Sequence, residues 1–529
     1  MSQLAEILND IPSDIHNLAE YLERSLIEFA DKPAFTSLGK TLTFSEINEH
    51  SKALAAWLQN HSGLQPGDRI AIQLPNLTQY PIAAYAVLRA GFIIVNTNPL
   101  YTSPEMLHQF NDSGAKAIII LQDLYPKLEA IQAQTGIEKV IVTGADDLIT
   151  GETKLLAEGQ IGLMQAIEDG RKETLKPSTA KLDDIAVLQY TGGTTGVSKG
   201  AALTHRNLIA NTQQTNVRFR MVCNRGEETI ICPLPLYHLY AFMVNMILFA
   251  SEGQHNVLII NPRDLDSFVT AIKQFPPSAF TGLNTLFVAL CNHPPFQELD
   301  LSRLKLTTSG GTSLTSATAE LWSRTTGCTI SEGYGLSETG PILTFNQPGQ
   351  ELLGSVGHPM VGTEIALWDD KDQPVPDGEE GQVVARGPQV MKGYWNKPEE
   401  TAKVIDSDGW FKTGDVGVRL PTGQIKIVDR LKDLIIVSGF NVYPNEVEDV
   451  LTRHPSILEA AVVGEPDEKS GERVCAFITV SNPVDTDEII AHCKQSLTGY
   501  KIPKHITVLE ELPKSTVGKI LRRELRIKS

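Results

Sequence analysis

The segment YTGGTTGVSKG, from Tyr190 to Gly200, is the strongest indication of fold and chemistry in the sequence. It follows an apolar run, residues 185–188, and precedes a stretch from residue 204 that has the pattern of a helix. Glycines let backbone N–H groups approach anionic oxygens, threonine hydroxyls add donors, and Lys199 adds a positive charge. The segment therefore predicts a phosphate-binding loop, and its candidate binding residues are Thr191, Gly192, Gly193, Thr194, Thr195 and Gly196.

This loop is not a Walker A loop. The pattern G-x-x-x-x-G-K-[ST] places Ser or Thr after the lysine, whereas Gly200 follows Lys199 here. The alternative is a tight strand-to-helix turn whose hydroxyls are incidental. The density of hydrogen-bond donors favours the phosphate loop over that alternative.

The fold class follows from the residues before the loop, which alternate strand-like and amphipathic helical runs. Such alternation is typical of βαβ units in largely parallel sheets with helices on both faces. We therefore predict an α/β fold. The predicted helices are residues 45–60, 79–90 and 125–134, and the predicted strands are residues 68–73, 92–95, 115–121 and 139–143.

The C-terminal third has a different pattern. Glycine and proline become frequent between residues 359 and 423, which predicts a small β element after the α/β body. Short strands and helices then alternate, which predicts a separate, smaller α+β domain. The expected strands are residues 435–438, 460–463 and 474–480, and the expected helices are residues 445–453 and 487–496.

Composition narrows the possible functions. The formal net charge of -17 and the pI near 5.2 argue against nonspecific nucleic-acid binding. The six cysteines are scattered, without a CxxC pair, which indicates a reducing compartment. The opening segment MSQLAEILNDIPSDIH lacks the basic and apolar regions of a secretory signal. The expected location is therefore the cytoplasm.

One uncharged stretch, residues 230–250, is long enough to span a membrane. It opens with the prolines Pro233 and Pro235 and carries His238 and Asn245, features that fit a loop leading into a buried helix. We predict a core helix here.

Six segments together resemble the adenylate-forming superfamily of acyl-CoA synthetases, luciferases and peptide-synthetase adenylation domains. They are the threonine-rich loop, GYGLSET, GWFKTGD, DRLKD, SGFNVYP and PKSTVGKI, which begin at residues 190, 333, 409, 429, 438 and 513. LPNLTQYPIA (74–83), SGFNVYPNEVEDV (438–450) and LTGYKIPK (497–504) are together similar to bacterial long-chain fatty acid–CoA ligases. The resemblance implies an N-terminal body (1–429), a hinge (430–433) and a mobile C-terminal domain (434–529).

The resemblance implies a nucleotide site for ATP. Tyr334 would lie against adenine, and Glu338 would be a catalytic residue that holds Mg²⁺ through hard carboxylate oxygens. Asp415 would accept hydrogen bonds from both ribose hydroxyls, with Arg430 near the nucleotide. From the residue pattern alone, Glu338 would be a solvated acid. The other predicted members of the site are Gly310, Gly311, Thr312, Gly333, Gly335 and Ser337.

The C-terminal motifs imply two further functions. Lys519 would be the catalytic lysine of adenylation, a point charge that stabilises the α-phosphate. Lys432 would be the hinge on which the C-terminal domain turns, and Gly439 would let backbone approach the pantetheine arm of coenzyme A. The alternatives are solvated lysines and an ordinary turn after a strand.

The acyl site is implied by two segments. His238 would lie next to the acyl carbonyl, Phe242 would gate the tail channel, and Gly282 would leave space in the channel wall. A histidine in an apolar stretch is otherwise a core residue, and close helix packing would explain Gly282 equally well.

The sequence thus predicts an ATP-dependent ligase that activates a fatty acid as an acyl-adenylate and transfers it to coenzyme A, with Mg²⁺ as cofactor. The expected partners are the fatty acid, ATP and coenzyme A, and no nucleic acid; peripheral membrane contact and a homodimer are left open. The alternatives are a fatty acyl-AMP ligase, a luciferase-like monooxygenase, and a non-catalytic nucleotide- or acyl-binding regulator. The presence of Lys519 and Glu338 argues against the regulator.

Overall fold

A computed structural model describes residues 11–191, 198–515 and 518–526. The chain divides into two compact units, each built from several segments. The first unit contains the residues up to Thr281 together with Gly335–Ile342 and Gly387–Ile405. The second contains Gly282–Tyr334, Leu343–Arg386 and the residues from Asp406 onward.

The first unit contains an eight-stranded sheet that is mostly parallel. Its central strands are apolar and buried, as expected when helices cover both faces. The predicted strands 115–121 and 139–143 are confirmed to the residue. In spatial order the strands are Gly393–Tyr394, Lys199–Thr204, Ile185–Thr191, Ile93–Asn96, Arg69–Gln73, Ala115–Leu121, Lys139–Thr143 and Ile161–Gly162.

The threonine-rich loop joins two antiparallel strands of this sheet, Ile185–Thr191 and Lys199–Thr204. The alternative interpretation of this segment as a strand-to-helix turn is therefore wrong. The helix His205–Phe219 begins only after the second strand, where the Thr204 side chain accepts from the Asn207 N–H in a capping box.

The first unit also contains a run of five hydrogen-bonded strands that is parallel except for one antiparallel edge pair. Its strands in spatial order are Ala279–Gly282, Thr229–Cys232, His255–Leu258, Pro33–Ser37 and Lys40–Thr43. The helices of this unit are Leu18–Glu28, Phe44–His61, Gln79–Arg89, Ser103–Ser113, Tyr125–Glu129, Asp147–Thr150, Leu163–Gly170, His205–Phe219, Leu265–Gln274 and Pro398–Val404.

The uncharged stretch 230–250 is buried rather than membrane-spanning. It consists of the strand end at Cys232, a short α-helical turn Leu239–Ala241 and a π-helical segment Phe242–Phe249. The polar Asn245 is hydrogen-bonded inside the core, to Asn256 at 3.2 Å and to Thr281 at 3.3 Å. Across the described part of the chain, no helix combines the length and apolar character needed to cross a bilayer.

The second unit contains a run of four hydrogen-bonded strands, Leu306–Ser309, Ile330–Gly335, Ile342–Phe345 and His358–Pro359, and two further sheets. The two further sheets confirm the predicted small β element and the α+β region after it. An antiparallel sheet contains Glu364–Trp368, Glu380–Arg386, Phe411–Arg419 and Ile425–Arg430. The C-terminal sheet contains Phe440–Val442, Ile435–Val437, Gly471–Val480, Ile457–Asp467 and His505–Val508. The helices are Asn284–Cys291, Pro294–Gln297, Ser316–Thr326, Pro444–Thr452, Thr486–Cys493 and Arg522–Arg526.

The α/β fold class is thus confirmed. The helix expected at residues 125–134 is shorter and ends at Glu129, and a separate 3₁₀ turn covers Gln132–Gln134. The backbone leaves helical geometry at Ile131, where φ is -126°. The division at residues 429 and 434 remains a prediction.

Candidate active site

The strands that flank the threonine-rich loop hold Thr191 and Lys199 opposite each other in register. The Ser198 carbonyl lies 2.9 Å from Nε2 of His108, and the Tyr190 hydroxyl donates to Asp112 at 2.7 Å. The predicted binding residues between these flanks, Gly192, Gly193, Thr194, Thr195 and Gly196, lie outside the described residues.

The ammonium group of Lys199 is held on two sides. Nζ lies 2.6 Å from Oε2 of Glu400 and 4.9 Å from the centroid of the Tyr394 ring. The hydrogen bond from Lys199, with another from Lys403, lowers the pKa of Glu400 to about 2. Neither Tyr394 nor Glu400 was identified from the sequence.

Glu338 lies in a 3₁₀ turn, Ser337–Thr339, and is 8% exposed. The solvated-acid interpretation is therefore wrong. The Tyr394 hydroxyl donates to Glu338 Oε1 at 2.9 Å, and burial together with the Glu338 charge raises the pKa of Tyr394. Just before the turn, a Cβ on Gly335 would lie 1.7 Å from the Pro341 carbonyl oxygen, so only glycine fits there.

In the second unit, three predicted nucleotide residues meet. The Tyr334 hydroxyl donates to Asp415 Oδ2 at 2.6 Å, and Arg430 Nε lies 3.4 Å from Asp415 Oδ1. Asp415 and Arg430 are paired in register on neighbouring antiparallel strands. Burial raises the pKa of Asp415, against the opposing effect of the Arg430 charge and the Tyr334 hydrogen bond.

Lys519 lies beside the turn that contains Gly310 and Gly311. A Cβ built on Gly311 would lie 3.4 Å from Lys519 Cε and 3.6 Å from Nζ. The Lys519 loop is held by a hydrogen bond of 3.1 Å from the Thr285 hydroxyl to the Gly518 carbonyl. The lysine therefore faces the predicted adenine-side turn of the same unit.

Two hydroxyls that flank the Gly310–Gly311 turn, Ser309 Oγ and Thr312 Oγ1, are buried and have no hydrogen-bond partner within the described part of the chain. Buried polar atoms are rarely left unsatisfied, and such exceptions indicate an absent water, ion or ligand. The turn thus has the unfilled hydrogen-bonding capacity expected beside a polar ligand.

Glu332 is a further residue that sequence analysis missed, although it directly precedes Gly333. It is buried at the edge of a cavity of about 180 Å³, and its carboxylate accepts a hydrogen bond of 3.1 Å from the Leu314 N–H. Burial raises the pKa of Glu332 to about 8. Gly333 is required here because a Cβ would lie 2.6 Å from the Phe345 ring.

The three predicted acyl-site residues are divided between the units. His238 is half-buried and caps the turn Leu239–Ala241, accepting from the Tyr240 N–H at 3.4 Å. Phe242 is fully buried at the start of the π-helical segment, and Gly282 ends the strand Ala279–Gly282. Their function in acyl binding remains a prediction.

Lys432 lies in the 3₁₀ turn Leu431–Asp433 and is exposed. Ser438 and Gly439 form a two-residue hairpin with φ of 52° and 84°, the positive values of a type I′ turn. The positive φ of this turn is by itself a sufficient reason for glycine at position 439, and no bound ligand is needed to explain it. Apart from Gly439 and its two chain neighbours, no atom of residues 11–191, 198–515 and 518–526 lies within 4 Å of a Cβ built at Gly439, so these residues leave the space beside it open.

Among the described residues, no group of three or more His, Cys, Asp and Glu side chains is arranged to hold a metal ion. A single carboxylate such as Glu338 nevertheless suits Mg²⁺, which binds proteins through one or two carboxylates and takes its other ligands from phosphates and water.

Comparison with known proteins agrees with these features. The chain is 44% identical to the long-chain-fatty-acid–CoA ligase of Escherichia coli O6:H1, over 98% of this chain and 96% of that protein. Its fold matches an anthranilate CoA ligase in complex with anthranoyl-AMP, with a TM-score of 0.91, 28% identity, and 98% of each chain covered. It also matches ATP-bound MatB from Rhodopseudomonas palustris, with a TM-score of 0.86, 28% identity, and 97% of this chain and 99% of that chain covered.

Family models extend this agreement across both parts of the chain. The model described as AMP-binding enzyme matches residues 22–395, and the model described as AMP-binding enzyme C-terminal domain matches residues 446–519. Apart from Ile520, the motifs that suggested the adenylate-forming superfamily fall within or between these ranges, and the chain belongs to the AMP-binding enzyme family.

Proposed function

We propose that the protein is an AMP-forming long-chain fatty acid–CoA ligase that works in two steps. The observation that carries the proposal is that Tyr334, Asp415 and Arg430 meet in one unit. Lys519 of the same unit lies beside the Gly310–Gly311 turn, whose flanking hydroxyls have no partner among the described residues. The fatty acid as substrate is supported by the 44% identity to a ligase named for long-chain fatty acids.

In the first step, an oxygen of the fatty carboxylate attacks the α-phosphorus of ATP, and the bond from that phosphorus to the bridging oxygen breaks. Pyrophosphate leaves, and an acyl-AMP mixed anhydride forms. Lys519 supplies a positive charge as negative charge develops on the α-phosphate. Asp415 accepts hydrogen bonds from the ribose hydroxyls, and Tyr334 lies against adenine.

Glu338 and Lys199 act on the phosphates. Glu338 would hold Mg²⁺, which when bound neutralises charge on the departing pyrophosphate. Lys199 adds a fixed ammonium group at the end of the threonine-rich loop. Tyr394 orients the Glu338 carboxylate through its hydrogen bond of 2.9 Å.

In the second step, the coenzyme A thiolate attacks the acyl carbonyl carbon, a C–S bond forms, and the C–O bond to AMP breaks. The free thiol has a pKa of about 8.5, so a minor thiolate fraction reacts with an anhydride already activated by its AMP leaving group. We place Gly439 beside the pantetheine arm. We place the hinge about which the C-terminal domain rotates at Lys432.

The test is a product analysis with ATP, Mg²⁺, coenzyme A and palmitate. The expected products are palmitoyl-CoA, AMP and pyrophosphate in equal amounts. ADP as product would contradict the proposal, and acyl-AMP that accumulates despite added coenzyme A would favour a fatty acyl-AMP ligase.

A series of acids of increasing chain length tests the substrate class. Burial of each further CH₂ contributes about 0.8 kcal/mol, so kcat/KM should rise with chain length until the acyl chain fills the predicted tail channel. Equal activity on acetate or on benzoate would contradict the long-chain assignment. A cytoplasmic location remains a prediction. Flotation with lipid vesicles and the mass in solution test the peripheral membrane contact and the homodimer that the sequence leaves open.

A further inference from the structure

The backbone at and just before the short strand Gly393–Tyr394 is hydrogen-bonded to the strand that contains Lys199 and to Glu338. The short strand pairs antiparallel with the strand Lys199–Thr204, and the Met391 N–H just before it donates to the Glu338 carbonyl at 2.8 Å. The backbone therefore fixes where the Tyr394 side chain can lie.

The Tyr394 side chain contacts both predicted phosphate-site residues. Its hydroxyl donates to Glu338 Oε1 at 2.9 Å, and its ring lies 4.9 Å from the Lys199 ammonium group. An ammonium group over an aromatic face is attracted by the ring quadrupole. One side chain thus orients the carboxylate and the ammonium group at the same time.

Glu400 holds Lys199 from another side. It lies in the first turn of the helix Pro398–Val404, and its Oε2 accepts from Lys199 at 2.6 Å. Its Oε1 accepts from Lys403. The side chains of Lys199, Glu400 and Lys403 together carry a net charge of about +1. The carboxylate therefore restrains Lys199, and the three groups together still attract an anion.

The geometry points to Tyr394 and Glu400 as positioning residues for the first half-reaction. They set the Glu338 carboxylate and the Lys199 ammonium group in one arrangement before ATP arrives. Neither residue needs to touch the substrate. This inference rests on the proposed function, because it assumes that Lys199 and Glu338 act on the phosphates of ATP.

The physical reason is preorganisation. An unrestrained lysine has four rotatable side-chain bonds and must be ordered each time ATP binds, whereas a lysine held by a carboxylate and a ring is already ordered. In the same way, a hydrogen-bonded carboxylate presents its oxygens to a metal in a fixed direction, and loss of such a partner costs about ten- to a hundredfold in metal affinity or activity.

The experiment compares Tyr394→Phe, Glu400→Gln and Glu400→Asp in the full-length protein, with Glu399→Gln as the matched control. Glu399 is the exposed neighbour of Glu400 and loses the same charge. Each protein is assayed for acyl-AMP formation over a range of Mg²⁺ concentrations, and separately for thioester formation from synthetic acyl-AMP and coenzyme A. Thermal unfolding midpoints are measured in parallel.

We expect Tyr394→Phe to raise the Mg²⁺ concentration for half-maximal adenylation about tenfold. Glu400→Gln should lower the rate of adenylation about tenfold, and Glu400→Asp should recover part of that rate. Thioester formation from synthetic acyl-AMP and the thermal midpoint should be unchanged, as should every property of Glu399→Gln. A loss of adenylation with normal thioester formation indicates a positioning function, because a variant that failed to fold would lose both half-reactions.

Adenylation by Tyr394→Phe and Glu400→Gln at wild-type rates and Mg²⁺ dependence would overturn the inference. So would equal losses in both half-reactions, or an equal loss in Glu399→Gln. A wild-type protein that forms no acyl-AMP would instead overturn the proposed function itself.

Discussion

The Tyr334 hydroxyl donates a hydrogen bond of 2.6 Å to Oδ2 of Asp415, which is 81 residues away in the sequence. Asp415 is 5% exposed, and its other oxygen lies 3.4 Å from Arg430. A buried carboxylate with a tyrosine on one oxygen and an arginine on the other is held in one orientation. This fixes the face that Asp415 can present to a diol.

The first prediction follows from that pair. Asp415→Asn keeps the shape and removes the charge, so it should raise the KM for ATP about ten- to a hundredfold, the range for hydrogen bonds to charged groups. Tyr334→Phe should raise it up to about tenfold, because Asp415 loses the hydroxyl that orients it while the ring predicted to lie against adenine is kept. Steady-state kinetics with varied ATP provides the measurement.

The matched control for that prediction is Tyr443→Phe. Tyr443 also donates its hydroxyl to a carboxylate, that of Glu380, in the same unit. It should leave the KM for ATP unchanged. If Tyr443→Phe and Tyr334→Phe weaken ATP binding equally, the nucleotide assignment of Tyr334 is wrong.

Lys519→Ala should slow acyl-AMP formation about a hundred- to a thousandfold, because a preorganised charge at the transition state is lost. Thioester formation from synthetic acyl-AMP should remain near the wild-type rate. The control is Lys514→Ala, which removes a lysine of the same loop that is paired with Glu459 at 2.8 Å. A Lys519→Ala variant that loses both half-reactions equally would argue against separate conformations for the two steps.

Gly439→Asn tests the predicted passage of the pantetheine arm. Asparagine tolerates the positive φ of 84° better than other residues with side chains, so the hairpin should form while the open space beside it is filled. Adenylation should be normal, and thioester formation should fall. Gly378→Asn is the control, since Gly378 also has a positive φ, 90°, and open space around its Cβ position. Equal thioester rates in the two variants would count against the assignment.

Two buried histidines predict a loss of stability in acid. Burial lowers the pKa of His205 and of His255 from 6.5 to about 4. The folded state therefore favours the neutral rings. The contribution of these neutral rings to the free energy of unfolding is fully present above pH 6.5 and is lost as the pH falls towards 4. At pH 5 each histidine should cost about 2 kcal/mol.

Urea unfolding at pH 7.5 and pH 5.0 measures this loss. His205→Gln removes the ring that accepts a hydrogen bond of 3.1 Å from the Leu18 N–H, so it should be less stable at pH 7.5. It should also show a smaller fall in midpoint between the two pH values. The exposed His505→Gln should keep the wild-type fall. A wild-type midpoint that does not fall between pH 7.5 and 5.0 would refute the prediction.

The sequence by itself determined the features that depend on neighbouring residues. The strands Ala115–Leu121 and Lys139–Thr143 were predicted to the residue, because each contains the run of consecutive apolar residues, 117–121 and 140–142, that is typical of a buried parallel strand. The short motifs identified the adenylate-forming superfamily, since backbone approach to phosphates requires glycines at fixed positions.

The tertiary structure alone decided which distant groups meet. Lys199 and Glu400 are 201 residues apart, yet their charged atoms lie 2.6 Å from each other. No local periodicity encodes that pairing. It arises because Gly393–Tyr394 joins the sheet beside Lys199–Thr204, and this places the following helix next to Lys199. The burial of Glu338 was likewise missed, because whether a carboxylate is solvated depends on what packs over it rather than on its neighbours in the chain.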